Sequence, residues 1–162
     1  MEIKRMSNSL KKGELLNKML VLATNSHAGQ YDKGGNPYIL HPLAVLGILR
    51  SDDEELQCIA VGHDIVEDCG VTYQELYQLG FTKRIVDGIA SLTKVPGETY
   101  EEYKDKVKAN KDSVKVKIAD LTHNTDVRRL KGVSKKDMAR MERYFMFYME
   151  LVNLTKQADD GN

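Results

Sequence analysis

The chain has 162 residues, and its 24 Lys and Arg balance its 24 Asp and Glu, so it carries no formal net charge at neutral pH. That length suits one domain with a real core, predicted here to span residues 1–162 with its packed part at about 14–155. The charge balance excludes a global pull toward nucleic acid or anionic membrane, leaving only local basic patches.

No apolar stretch approaches the roughly 18 residues of a spanning helix, and the opening MEIKRMSNSLKKGE lacks the apolar segment of a secretory signal. A cytoplasmic protein is expected, with no membrane and no nucleic-acid partner; oligomeric state is not readable. Cys58 and Cys69 form neither a CxxC pair nor a repeated framework and are read as free thiols.

Along the chain, Leu15, Leu16, Met19, Leu20 and Ala23 mark one face of a first helix ending near Gly29. QYDKGGNPY then reads as a loop. Pro42 suits the first turn of a second helix running to about Leu49, and Ser51 with Glu54 resembles a capping box opening a third helix that continues toward Asp68. Thr72 with Glu75 and Thr99 with Glu102 repeat the box. Helices are predicted through Thr82–Leu92 and from Tyr100 to about Ala109. DSVKVKIADLTHN alternates at first like a strand, but it has no convincing partner strand and is assigned as helix. Ser134 and Asp137 open a last helix, whose stripe of Met138, Met141, Tyr144, Phe145, Tyr148, Leu151 and Val152 is expected to be core packing. The architecture is an all-α bundle.

One stretch resists a purely structural reading. In GHDIVEDCG an apolar run is followed by His63, Asp64, Glu67 and Asp68, which on one continuous helix project to the same side. Crowded, partly buried carboxylates repel one another and lose hydration unless a cation or proton relieves them. Imidazole with carboxylate suits Mn, Fe, Zn or similar ions better than calcium. His41, whose backbone Pro42 helps fix, is the third ligand, and Asp120, a lone acid between Ala119 and Leu121, is the fourth. Singly, each has a bland reading as a cap, a core residue or a solvated side chain; the weight lies in the joint pattern.

The order His41, His63-Asp64, Asp120 resembles the metal signature of HD-domain phosphohydrolases. HAGQYDKGGNPYILHP (27–42), GHDIVEDCG (62–70) and VKVKIADLTHN (114–124), with ARMERYF (139–145) as a weaker fourth block, resemble the hydrolase domain of RelA/SpoT homologues and the small alarmone hydrolases. The resemblance implies an HD-domain helical bundle in which His41, His63, Asp64 and Asp120 hold one Mn²⁺. It implies that Glu67 and Asp68 orient or deprotonate the attacking water, and that Lys33 and Asn124 contact a nucleotide, with Lys94 and Arg140 as weaker phosphate contacts. His27 and His123 stand outside the metal set, either one a candidate to support a ligand from behind.

Two departures bear on the substrate. Where bifunctional members usually carry Arg before the loop lysine, this chain has Asp32, which either places an acid near a polyanion or reshapes the base pocket. TDVRRL stands where long homologues have a Met-Arg-Thr-like segment. The sequence ends before a synthetase region, so the expectation is hydrolysis and not synthesis of a small-molecule nucleotide: removal of the 3′-diphosphate of ppGpp or pppGpp. The alternatives are an HD nucleotidase acting on another nucleotide, such as NADPH at its 2′-phosphate, and a non-catalytic nucleotide-binding module.

Overall fold

The computed structural model describes residues 11–129 and 134–160, and among these the regular elements are helices joined by loops, with one isolated bridge between Tyr31 and Pro37. The helices are α1 (Glu14–Ser26), α2 (Leu40–Leu49), α3 (Glu54–Gly62), α4 (Ile65–Cys69), α5 (Tyr73–Gln78), α6 (Lys83–Leu92), α7 (Tyr100–Lys108), α8 (Lys111–Asn124) and α9 (Lys135–Asp160). The alternating DSVKVKIADLTHN run is α8, as expected, with Asn110 capping its first turn.

α3 is the centre of the bundle. Cys58, Ile59, Ala60, Val61 and Gly62 are all buried, and α1, α2, α6 and α8 pack around them. The close approach needs glycine on α6: a Cβ on Gly88 would stand 2.5 Å from Ile59 Cδ1. Met19, Ile59, Ile65, Ile85, Ile89 and Leu121 are fully enclosed, each such side chain contributing about 1.5–3 kcal/mol through its burial. Arg84 on α6 holds the starts of two other helices together, giving paired hydrogen bonds to Asp53 before α3 and to Asp112 in α8.

Local caps explain most boundaries. Thr72–Glu75 and Thr99–Glu102 form reciprocal capping boxes, Thr82 caps α6, and Ser134 exchanges hydrogen bonds with Asp137 at the start of α9. The Ser51–Glu54 box does not form. Asp53 is the cap of α3, while Glu54 reaches across to accept the amides of Gly13, Leu15 and Leu16 at 2.8–3.1 Å and caps α1 instead.

The third helix does not run unbroken to Asp68. The Ala60 carbonyl, the acceptor that a continuing helix would offer to the Asp64 amide, receives His63 Nδ1 at 2.7 Å. α3 therefore stops at Gly62, and α4 starts afresh after Asp64.

The stripe on α9 also needs correction. Phe147 and Leu151 are buried, with Tyr144 and Tyr148 packed against the core, but Met138 and Phe145 are each 57% exposed. Phe145 lies two residues from Phe147, about 200° around the helix, so the apolar residues of α9 divide between two faces. Both cysteines are free: Cys58 is buried and Cys69 half-buried. No helix among the described residues is long and apolar enough to cross a membrane.

Candidate metal centre

Three helices and one break converge beneath the loop that joins α1 to α2. His41 stands in the first turn of α2, where Pro42 needs no helical amide partner. His63 and Asp64 occupy the α3–α4 break, and Asp120 projects from α8. Donor atoms of His41, His63 and Asp120, all buried, lie within 4.8 Å of one another. His41 Nε2 is 3.0 Å from Asp120 Oδ1 and 3.7 Å from Asp64 Oδ2; His63 Nε2 is 3.1 Å from Asp64 Oδ2 and 3.6 Å from Asp120 Oδ1.

The main chain orients one ring. His63 Nδ1 donates to the Ala60 carbonyl, so its Nε2 faces the carboxylates, and this fully buried nitrogen has no hydrogen-bond partner. Its approach to Asp64 is close in distance without making a hydrogen bond. On the other side, His41 Nδ1 meets His123 Nδ1 at 2.7 Å. Burial, the Arg129 charge and His41 lower the His123 pKa to about 4, so His123 is neutral near pH 7, and one of the two Nδ1 atoms donates to the other. The Nε2 atoms of both imidazoles thus face carboxylate oxygens in a buried space, an arrangement that a proton or a divalent cation relieves. The donor set fits such an ion, and histidines held from behind by a hydrogen bond are the usual form of a metal ligand.

The charges point the same way. Burial alone would favour neutral His63, but Asp64 and Asp120 outweigh it and hold its pKa well above the usual value. Burial would likewise protonate Asp120, yet Lys117, His41 and His63 keep its pKa well below the ordinary range. Without a metal, a proton on His63 does the work of a cation.

The acidic pair of α4 stands at the mouth of this centre. Glu67, exposed, accepts the Lys94 amide at 2.8 Å. Asp68 is exposed too, but partial loss of hydration and then the charges of Asp64 and Glu67 raise its pKa. Both line a cavity of about 180 Å³ together with the four sequence-assigned ligands, Lys94 and Asn124. The four acidic and imidazole side chains of GHDIVEDCG meet at this cavity by way of a helix break and not, as the periodicity suggested, from one face of one helix.

A second cavity of about 260 Å³ lies beside the first and shares Tyr38, Asn124 and Tyr144 with it. Lys33, Arg129 and Arg140 supply its positive charge, and Arg140 is also paired with Asp137 at 2.9 Å. Of the sequence-assigned contacts, Asn124 therefore borders both cavities, Lys94 the inner one, and Lys33 and Arg140 the outer one.

Four residues at the site escaped the sequence reading. The Tyr38 hydroxyl donates to Asp64 Oδ2 at 2.7 Å, and Lys117 Nζ donates to Asp120 Oδ2 at 2.7 Å while lying 5.4 Å from the Tyr103 ring centroid. Tyr144 and Arg129 complete the outer wall. Lys117 carried a usable signal, a cation three positions before an acid on one helix; Tyr38 and Arg129 act across long sequence separations. His27 is buried behind the site with its ring 4.8 Å from that of Tyr38, one layer farther from the donor atoms than His123.

A family model described as HD domain matches residues 20–139. The chain is 34% identical over 137 residues to a guanosine-3′,5′-bis(diphosphate) 3′-pyrophosphohydrolase of Vibrio cholerae, covering 78% of this chain and 19% of that protein. It is 33% identical over 128 residues to the bifunctional (p)ppGpp synthase/hydrolase SpoT of Escherichia coli, covering 67% and 17%. It thus spans about a fifth of the length of these curated relatives. A solved structure of a metazoan orthologue of SpoT described as hydrolysing ppGpp superposes with a TM-score of 0.72 at 21% identity, over 90% of this chain and 88% of that one, which shows a shared fold.

Proposed function

The chain belongs to the HD-domain family, and on that premise we propose that it is a Mn²⁺-dependent hydrolase that removes the 3′-diphosphate from ppGpp or pppGpp, giving GDP or GTP and pyrophosphate. The observation that carries this reading is the pair of neighbouring cavities: a cluster of imidazoles and carboxylates beside a basic, tyrosine-lined cleft, with Tyr38, Asn124 and Tyr144 lining both. A guanosine nucleotide with phosphates on both sides of its ribose matches that division. The names of the relatives support the same substrate.

In this reading His41, His63, Asp64 and Asp120 hold the ion. When bound, a divalent cation supplies positive charge that acidifies water and offsets phosphate charge. The residues of the chain do the rest. Tyr38 and Lys117 hold the carboxylates of Asp64 and Asp120 by hydrogen bonds, so neither carboxylate turns to find another partner. Glu67 and Asp68 face the same cavity, and the raised pKa of Asp68 suits a carboxylate that receives a proton from water. Water attacks the phosphorus carried by the 3′ oxygen; the P–O3′ bond breaks, the 3′ oxygen gains a proton, and pyrophosphate leaves. Lys94 at the inner cavity and the cations of the outer cleft balance phosphate charge in the transition state.

The test is product analysis with Mn²⁺-loaded protein on ppGpp, pppGpp, NADPH and common NTPs and dNTPs, with His63→Ala as control. Pyrophosphate from the guanosine 3′-diphosphates supports the proposal. Orthophosphate from NADPH, or turnover of another nucleotide alone, replaces the substrate while keeping the centre, and metal binding without turnover points to the binding module.

A further inference from the structure

The acid at position 32 does not face the cleft as a bare charge. Asp32 Oδ1 accepts the Asn36 amide at 2.9 Å and closes the loop, in which Gly35 takes φ 82. Asp32 Oδ2 lies 3.5 Å from Arg129 Nη2. The segment carrying Arg129 passes so close over this loop that a Cβ on Gly34 would stand 3.4 Å from the Arg129 carbonyl oxygen. Loop and connector therefore form one wall of the outer cavity, with the acid on one strand of chain and its cation on the other.

Arg129 is held from a second side. Its Nη1 donates to Asn124 Oδ1 at 2.9 Å and to the His123 carbonyl at 3.3 Å. Asn124 in turn donates to Asp120 Oδ1 at 2.6 Å, so a line of hydrogen bonds runs from the outer cleft to the candidate metal ligand. Among the described residues, Arg129 Nε and one Nη2 hydrogen have no partner, which leaves the guanidinium two donors in a residue that lines the cavity with Lys33 and Arg140. Donors on a planar cation can meet two oxygens of a phosphate, in a way a lysine does not.

We propose that Arg129, anchored by Asp32 and Asn124, is the specificity-determining residue that selects nucleotides bearing a 5′-phosphate, binding that group in the outer cleft while the 3′ group lies at the metal centre. This rests on the nucleotide reading given above and deepens it. Asp32 sets the guanidinium in place; it does not read the base.

Equilibrium titration of the Mn²⁺-loaded protein with GDP and with guanosine separates this role from general damage to the pocket. The wild-type protein is expected to prefer GDP. Arg129→Ala weakens GDP about tenfold to a hundredfold, the scale of a charged hydrogen bond, and leaves guanosine unchanged. Arg129→Lys falls between, because it keeps charge and loses the fork. Arg129→Asp is worse than Ala, and the swap Asp32→Arg with Arg129→Asp recovers most of the loss. Equal affinity of the wild type for GDP and guanosine, equal loss of both in Arg129→Ala, or no rescue by the swap would each overturn the assignment. Failure to hydrolyse 3′-diphosphates with GDP selectivity intact would overturn the hydrolase reading alone.

Discussion

His63 donates its Nδ1 proton to the carbonyl of Ala60, three residues earlier and on the helix it terminates. That one bond both stops α3 and points the other ring nitrogen into the carboxylate cluster. If the cluster is built for a cation, one equivalent of Mn²⁺ should bind per chain and raise the melting temperature. His63→Ala should lower affinity at least a hundredfold while leaving the helical circular dichroism in place. Equal metal content in mutant and wild type would remove His63 from the ligand set.

If His63 is a ligand, metal and proton compete for its Nε2, and the sign is fixed by the raised pKa of metal-free His63. A raised histidine contributes stability that is complete below about pH 6.5, its unfolded value, and is lost as pH rises through the folded value. The lowered pKa values of Asp64 and Asp120 contribute stability above about pH 3.9 that is lost as pH falls. Metal-free protein should therefore lose stability on going from pH 6.5 toward alkaline pH, and metal-loaded protein should not show that loss. Mn²⁺ binding at pH 7 should release about one proton, measured by calorimetry in buffers of different ionisation enthalpy. Binding with no proton release would contradict the cluster electrostatics.

Lys117 is the cation that accompanies Asp120 before any metal arrives. Lys117→Met leaves a buried carboxylate short of its partner, and the metal-free protein should lose about 3–5 kcal/mol in urea unfolding. Saturating Mn²⁺ should return a large part of that loss by supplying a second cation to the same carboxylate. A deficit that ignores the metal would show that Lys117 serves packing against Tyr103 alone.

The carboxylates of α4 separate binding from turnover. Glu67→Gln and Asp68→Asn should each keep metal content near one equivalent and lower kcat by about a hundredfold to ten-thousandfold, the range for loss of a general base. The acid limb of the kcat profile should lie above the ordinary aspartate range, because partial loss of hydration and then the charges of Asp64 and Glu67 raise Asp68. Unchanged kcat in both variants would place proton transfer elsewhere.

Away from the site, Glu54→Ala should lower the urea midpoint of unfolding, since the carboxylate caps α1 through three amides. An unchanged midpoint would show that those amides find water equally well.

The contrast between Glu54 and Glu75 shows what was readable in the sequence. Thr72–Glu75, Thr99–Glu102 and the Ser134–Asp137 pair act within four residues, so their sequence spacing carries the whole interaction. Glu54 has the same spacing from Ser51, but its partners lie about forty residues back in the chain, and only packing of α1 on α3 brings them near. The ligand candidates were legible because an acid or imidazole in an apolar run is anomalous on any fold. Tyr38 and Arg129 were not, because each is ordinary in its own segment and acquires meaning from Asp64 and Asp32, which the fold delivers. The α3–α4 break eluded periodicity because a side chain, and not a glycine or proline, takes the carbonyl.

The most direct test of the central claim is hydrolysis of ppGpp by the Mn²⁺-loaded protein in ¹⁸O-water, with the products weighed by mass spectrometry. Attack at the 3′-linked phosphorus gives GDP without label and pyrophosphate carrying one ¹⁸O, with neither product formed by His63→Ala. Label on the nucleotide would contradict attack at phosphorus, and an absence of GDP and pyrophosphate from the wild-type protein would contradict the alarmone reading itself.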